Sequence, residues 1–431
     1  MFPEPLTIGI CALLALVLRR RPLELLVLVQ VLVLLVPISV QEYYFPGIHP
    51  AAVLIVLYYV IAPRPSANEQ LRGVTPGRGL HVAALVLALF SSDLPGELTS
   101  LTKIAVTVLL APLAYVLIAW RTIASRPEGV KRLRWALFGL LGFNVAFAAL
   151  QQAFSSPVVF EDINTAYYNW GVVTSGRRAG LMGTPLDLGL LCAVCTPLVA
   201  AVRSPTARYV LVATCTAGAV LAQSRTALIV VVLVAFYVVL SDTRRLVGNV
   251  IAGAVILAGG AYLANELGLF ESIGSRFSGG YGDAYRLSAY GWFVDNYQSF
   301  LIFGNGPFSD PRSTGAITSS LENTYLVYAY NFGVLFALAL FAIHLSYAHR
   351  AGQSREHRSA LVVACLVFIL MICSYSGVAA SPQLALILAM VAGQALLGHR
   401  FVTTSGTTIR TVTGRRDSSA GYRRVSKPKD G

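Results

Sequence analysis

The chain has 431 residues, 12% of them charged and 56% hydrophobic, with a formal net charge of +13. Soluble domains average about 25% charged residues, so this chain could not cover the surfaces of two or three water-soluble domains, and its mean hydropathy of +0.67 agrees. The composition excludes a disordered chain and a secreted disulfide scaffold. It also makes the basic excess a topology signal rather than a nucleic-acid footprint.

Apolar runs fall at roughly 3–18, 25–40, 49–63, 80–92, 104–120, 135–154, 186–202, 209–223, 226–240, 249–266, 324–346, 359–377 and 384–398. A span needs about 20 apolar residues, fewer inside a bundle. The expectation is an all-α, polytopic integral membrane protein with about 12–13 transmembrane helices over residues 1–400. The first run lacks the polar flank and cleavage site of a secretory signal and reads as retained.

Basic residues alternate along the connections. Arg19–Arg21, Arg64 to Arg78, Arg121 to Arg134, Arg203 and Arg208, Arg244 and Arg245, Arg350 to Arg358 and the tail form one set. The positive-inside rule assigns that set, and the C-terminus, to the cytoplasm. Lys103, Arg177, Arg178, Arg225, Arg276, Arg286 and Arg312 fall on the other side against the rule, which asks for another reason to keep them there. That side also carries the two long connections, 155–185 and 267–323. Their aromatic content (Tyr167, Tyr168, Trp170, Phe277, Tyr281, Tyr285, Tyr290, Trp292) is not that of a disordered linker. Function is expected at this outer face. Residues 401–431, rich in Ser, Thr, Gly, Arg and Lys, read as a disordered basic cytoplasmic tail able to touch anionic lipid.

The six cysteines all lie in apolar runs, and Cys192 with Cys195 reads as small-residue packing rather than a redox pair. None of the six histidines is in a long outer loop, so no metal site is expected. Without a phosphate-binding glycine loop or a paired-carboxylate nucleotide-sugar motif, neither ATP nor any other cofactor is expected.

The stretch 209–240 carries a single charge. As one helix it would be about 48 Å long, beyond the hydrocarbon core, and both of its flanks are basic. A hairpin with its tip at Gln223-Ser224-Arg225 resolves both conflicts and sets Arg225 at the outer boundary, either as a snorkelling anchor or as a ligand for an anion. Ser175 to Pro185 brings Arg177 and Arg178 with glycines to a helix start near Asp187. Arg286 and Trp292 precede a Gly304-Asn305-Gly306-Pro307 turn, and Glu322-Asn323-Thr324-Tyr325 opens a helix. Guanidinium groups bind phosphate oxygens in bidentate fashion. The alternative is a set of independent ion pairs with Glu161, Asp162, Asp187, Glu266 and Asp283.

These residues resemble the O-antigen ligase and polymerase superfamily of bacterial envelope glycosyltransferases. The likeness is carried by Arg178-Ala179-Gly180 with Pro185, Gln223-Ser224-Arg225-Thr226-Ala227-Leu228, Arg286 with Trp292, Gly304-Asn305-Gly306-Pro307, Glu322-Asn323-Thr324-Tyr325-Leu326 and Asn331-Phe332-Gly333, over roughly 175–345. The resemblance implies about a dozen helices with a large extracytoplasmic loop between late ones. It implies a metal-independent transferase of the cytoplasmic membrane that moves a glycan from an undecaprenyl-diphosphate donor to a glycan or lipid acceptor. Arg225 and Arg286 would hold the diphosphate, with Arg178 as a third; Arg177, Trp292, Asn323 and Tyr325 would bind substrate, and Glu322 would act as base. The ligase branch usually has His where this chain has Glu322. A carboxylate could serve as the base or simply mark a helix start, and the change keeps polymerase chemistry open. Two further classes stand beside these: a lipid-linked glycan flippase, which would need charges along a path through the bundle, and a non-catalytic scaffold.

Overall fold

The computed structural model describes residues 4–44, 48–62, 75–90, 98–155, 158–159, 163, 176–240, 251, 253–255, 258–259, 262, 265, 280–307, 309–354, 357–374 and 384–395. The predicted span at 249–266 falls largely outside the described residues, as do the basic tail, more than half of the connection 155–185 and the first part, 267–279, of the connection 267–323. Among the described residues there are sixteen α-helices and no strand. We number them α1 Glu4–Val17, α2 Pro22–Leu35, α3 Ile38–Tyr44, α4 Pro50–Ile61, α5 Thr75–Phe90, α6 Leu98–Ile104, α7 Ala111–Ser125 and α8 Gly129–Phe154. There follow α9 Pro185–Leu198, α10 Pro205–Ala222, α11 Arg225–Leu240, α12 Gly280–Asn296, α13 Thr324–Phe332, α14 Val334–Ala351, α15 Arg358–Ile372 and α16 Leu384–Ala392. A π-helical stretch, Ala105–Leu110, joins α6 to α7.

Among the described residues, four helical stretches are long and apolar enough to cross a membrane: Leu101–Ile123, Gly129–Phe154, Pro205–Ala222 and Val334–Ala351. Seven shorter apolar helices accompany them. Large apolar side chains also face outward, among them Leu13, Phe90, Phe143, Leu233, Leu338 and Leu370. A surface of this kind suits a lipid solvent, consistent with a membrane protein.

Local sequence sets the helix starts. Three helices begin with proline at the first position behind a capping side chain: His49 caps Ala51 N–H, Thr184 caps Asp187 N–H, and Ser204 caps Ala207 N–H. Proline there costs no hydrogen bond and presets φ, while the cap satisfies an orphan amide. The packing then sorts the arginines spatially. Arg134 at the start of α8 donates to Gln394 and to the Ala201 carbonyl, and Arg208 at the start of α10 donates to Val202 and Ala200 carbonyls. Tyr58 donates to the Arg19 carbonyl, Arg121 lies over Tyr59, and Arg350 lies over Trp120. These contacts gather at one end of the bundle. Along α8, Gln151 is 17 residues beyond Arg134, so it stands about 26 Å away at the opposite end.

The predicted run 324–346 is not one helix. It breaks at Gly333 (φ +95°), where a β-carbon would overlap the Ile302 backbone. Only glycine combines that dihedral with that approach. The helix α13 therefore turns back along α14, and Tyr325 packs edge-on against Phe341 while its hydroxyl meets His344 Nδ1 at 2.8 Å. Phe341 is eight residues beyond Gly333, so the N-terminus of α13 reaches about 12 Å into the bundle toward the basic end.

Candidate functional site

The predicted site residues fall in two neighbourhoods. The first is the hairpin tip with the segment 176–184. The chain does break at Gln223, which takes a left-handed conformation (φ 48°) as the C-cap of α10, and Arg225 is the first residue of α11. Ser224 Oγ accepts from Ala227 N–H at 3.4 Å. Four of the bonds among the described residues tie the tip and the end of α8 to segment 176–184. Arg178 N–H donates to the Leu221 carbonyl (2.9 Å), Arg177 Nε to the Ala222 carbonyl (3.1 Å), Gln223 Nε2 to the Gly176 carbonyl (3.0 Å), and Arg178 Nε to Gln152 Oε1 of α8 (2.9 Å).

The end of α8 grips the same segment more widely. The Gln151 amide brackets Gly180, accepting from its N–H and donating to its carbonyl, both at 2.9 Å. Asn144 Oδ1 accepts from Leu181 N–H at 3.0 Å, while its Nδ2 donates to the Leu34 carbonyl of α2. Gly180 has φ +63°, and a β-carbon there would stand 2.5 Å from the Asn144 carbonyl oxygen. Arg178 is thereby held almost wholly inside the protein, and burial lowers the pKa of its guanidinium. Thr184 and Asp187 cap α9 reciprocally, so Asp187 serves the helix start. Cys192, in α9, is buried against Gly218.

The second neighbourhood joins α12 to α13. Arg286 Nη2 is 2.7 Å from Glu322 Oε2, with both side chains about one third exposed. Tyr290, one turn further along α12, donates to the Glu322 carbonyl at 3.1 Å. Burial raises the Tyr290 phenol pKa, nearby Glu322 adds to the rise, Arg286 opposes it, and Cys373 at the end of α15 contributes. Asn323 Oδ1 caps α13, accepting from Tyr325 and Leu326 N–H. Asn323 is thus the capping residue of α13, with Glu322 immediately before it. Trp292 packs on Phe300 and Tyr330 in a small aromatic core with Phe293 and Leu321. The Gly304 turn docks on the far end of α13 through Asn305 N–H to the Tyr330 carbonyl and Gly306 N–H to the Asn331 carbonyl.

Each neighbourhood thus brings several predicted residues together: Arg177, Arg178 and Arg225 in one; Arg286, Trp292, Glu322, Asn323 and Tyr325 in the other. The helices α9 and α15 pack against each other. Sequence reasoning missed Asn144, Gln151, Gln152 and Tyr290. Polar side chains at 144, 151 and 152 in an otherwise apolar run were the available signal, because such residues seek partners on neighbouring elements. Comparison with known proteins adds no relative: no protein-family model matches the chain, and no curated protein or solved structure shows significant similarity to it.

Proposed function

We propose that the protein is a bacterial cytoplasmic-membrane glycosyltransferase with about 12–13 spans and a cytoplasmic C-terminus. In this reading it moves a glycan from an undecaprenyl-diphosphate donor to an acceptor hydroxyl at the outer face. The observation that carries it is the Arg286–Glu322 pair at the N-terminus of α13. An anion that attracts Arg286 releases the Glu322 carboxylate, so binding of a diphosphate would both seat the donor and free a base. The acceptor oxygen then attacks the anomeric carbon, its proton passes to Glu322, and the bond to the diphosphate breaks. The leaving charge stays with Arg286 and Arg225, with Arg178 behind them. Stabilising charge that grows in the transition state is where such donors count most.

The polymerase alternative, in which a second lipid-linked repeat is the acceptor, is favoured by one observation: Glu322 stands where the resemblance expects His. The test is the purified protein in liposomes with a lipid-linked oligosaccharide donor and alternative acceptors. Arg225→Ala or Arg286→Ala is expected to lower turnover about 10²–10³-fold with the protein still folded; full turnover in either defeats the diphosphate role. A ladder of products marks a polymerase and a single capped acceptor a ligase. Intact glycan assembly in every arginine variant marks a scaffold.

A further inference from the structure

At the end of the bundle opposite the proposed transfer site, we propose that Arg350, with Trp120 and Arg121, forms a phosphate-binding site, a phosphodiester of the anionic phospholipid class being the ligand chemistry. Arg350 lies in the last turn of α14 and is only 8% exposed. Its guanidinium carbon stands 5.7 Å from the centre of the Trp120 ring. The indole is fixed, since Trp120 Nε1 donates to the Ala392 carbonyl of α16 at 3.0 Å. Next in the chain, Arg121 lies 5.6 Å over Tyr59, and its Nε is buried with no acceptor among the described residues.

The neighbouring arginines are satisfied differently. Arg134 and Arg208 spend their donors on side-chain and backbone oxygens of Gln394, Ala201, Val202 and Ala200. Arg350 and Arg121 instead meet aromatic faces, which attract the cation but accept no hydrogen bond in the guanidinium plane. A buried guanidinium donor left without an acceptor, as Arg121 Nε is among the described residues, is costly. The described carboxylates at this end, Glu24 and Glu128, stand at the starts of α2 and α8. A phosphate oxygen supplies both the missing charge and the in-plane acceptors. Basic side chains set between helices at the basic end of a membrane bundle attract anionic headgroups, and a lipid phosphate is at hand there.

The full-length protein in nanodiscs of phosphatidylcholine, with or without phosphatidylglycerol, tests this through native mass spectrometry of retained lipid and thermal unfolding. The wild type should retain phosphatidylglycerol preferentially and unfold at a higher temperature with it. Arg350→Gln should cut retention about tenfold, the loss expected of hydrogen bonds to a charged group, and Arg350→Lys should keep part of it. Arg121→Gln should weaken it less. Inorganic phosphate in pure phosphatidylcholine discs separates the sources: protection by phosphate alone assigns the site to a soluble phosphate, and its absence beside phosphatidylglycerol protection assigns it to lipid. A wild type indifferent to both phosphatidylglycerol and phosphate overturns the proposal, even if the variants fail to fold. So does an Arg350→Gln protein that retains phosphatidylglycerol as the wild type does.

Discussion

The two arginine neighbourhoods are built on opposite principles. Around Arg178, position is imposed by the backbone: peptide groups of Gly176, Arg178, Gly180 and Leu181 are held by Gln223, Leu221, Gln151 and Asn144. Around Arg286, the packed element is an aromatic core, and the arginine itself is held by a partly exposed ion pair. A guanidinium embedded in a hydrogen-bonded frame keeps its place with or without a ligand. One held by a carboxylate can exchange that partner for another anion. Under the proposed transfer, Arg178 is the fixed contact and Arg286 the exchangeable one.

Substitutions can break each principle separately. The largest structural effect is expected at Gly333, where alanine meets both the positive φ and the Ile302 backbone. Each of those costs about 1–3 kcal/mol, so Gly333→Ala should unfold the α13–α14 turn and lower the midpoint of thermal unfolding by the widest margin. Gly180→Ala, against the Asn144 carbonyl, should follow. Next comes the amide bracket. Gln151→Leu removes both partners of Gly180 and should cost about 1–3 kcal/mol, with hydrogen exchange rising in segment 176–184 but not around Glu322.

The switchable side sharpens the comparison through activity rather than stability. Glu322→Gln should lower turnover steeply with little change in unfolding temperature, whereas Glu322→His should recover part of the rate. Equal rates for wild type and Glu322→Gln would remove the base role. The smallest effect belongs to the Asp310–Arg312 pair, 2.6 Å apart on the surface. Burial acts to raise the Asp310 carboxyl pKa, but hydrogen bonds from Arg312 outweigh it and hold the carboxyl below its usual value. A depressed carboxyl stabilises the fold above its unfolded pKa and loses that contribution as pH falls through the folded value. Asp310→Asn should therefore change stability by under about 1 kcal/mol near neutrality and by less in acid, as urea titrations at the two pH values would show.

How much of this could be read from the residues depends on how local each determinant is. The break at Gln223–Arg225 was legible because one charge interrupts a run too long for a single span. The break at Gly333 was not: glycine between Phe332 and Val334 leaves hydropathy unchanged, and it is the distant Ile302 backbone that demands it. Capped starts such as Thr184–Asp187 involve neighbours in sequence and were partly visible. The Gln151–Gly180 and Arg286–Glu322 partnerships join residues 29 and 36 positions apart. No periodicity encodes such pairs, although a polar residue in an apolar helix hints that a partner exists.

The helix α8 has one more implication. Its start is pinned by Arg134 to carbonyls of the basic end, and its last turns are pinned by Gln151 and Gln152 to the opposite one. The length between those pins, about 26 Å, is close to the average hydrocarbon thickness of about 30 Å, and the helix runs on to the exposed Phe154. A bilayer much thicker or much thinner than this span would pull the two pinned ends out of register with its interfaces. Thermal stability in lipid should therefore peak at an intermediate acyl-chain length and fall on either side of it.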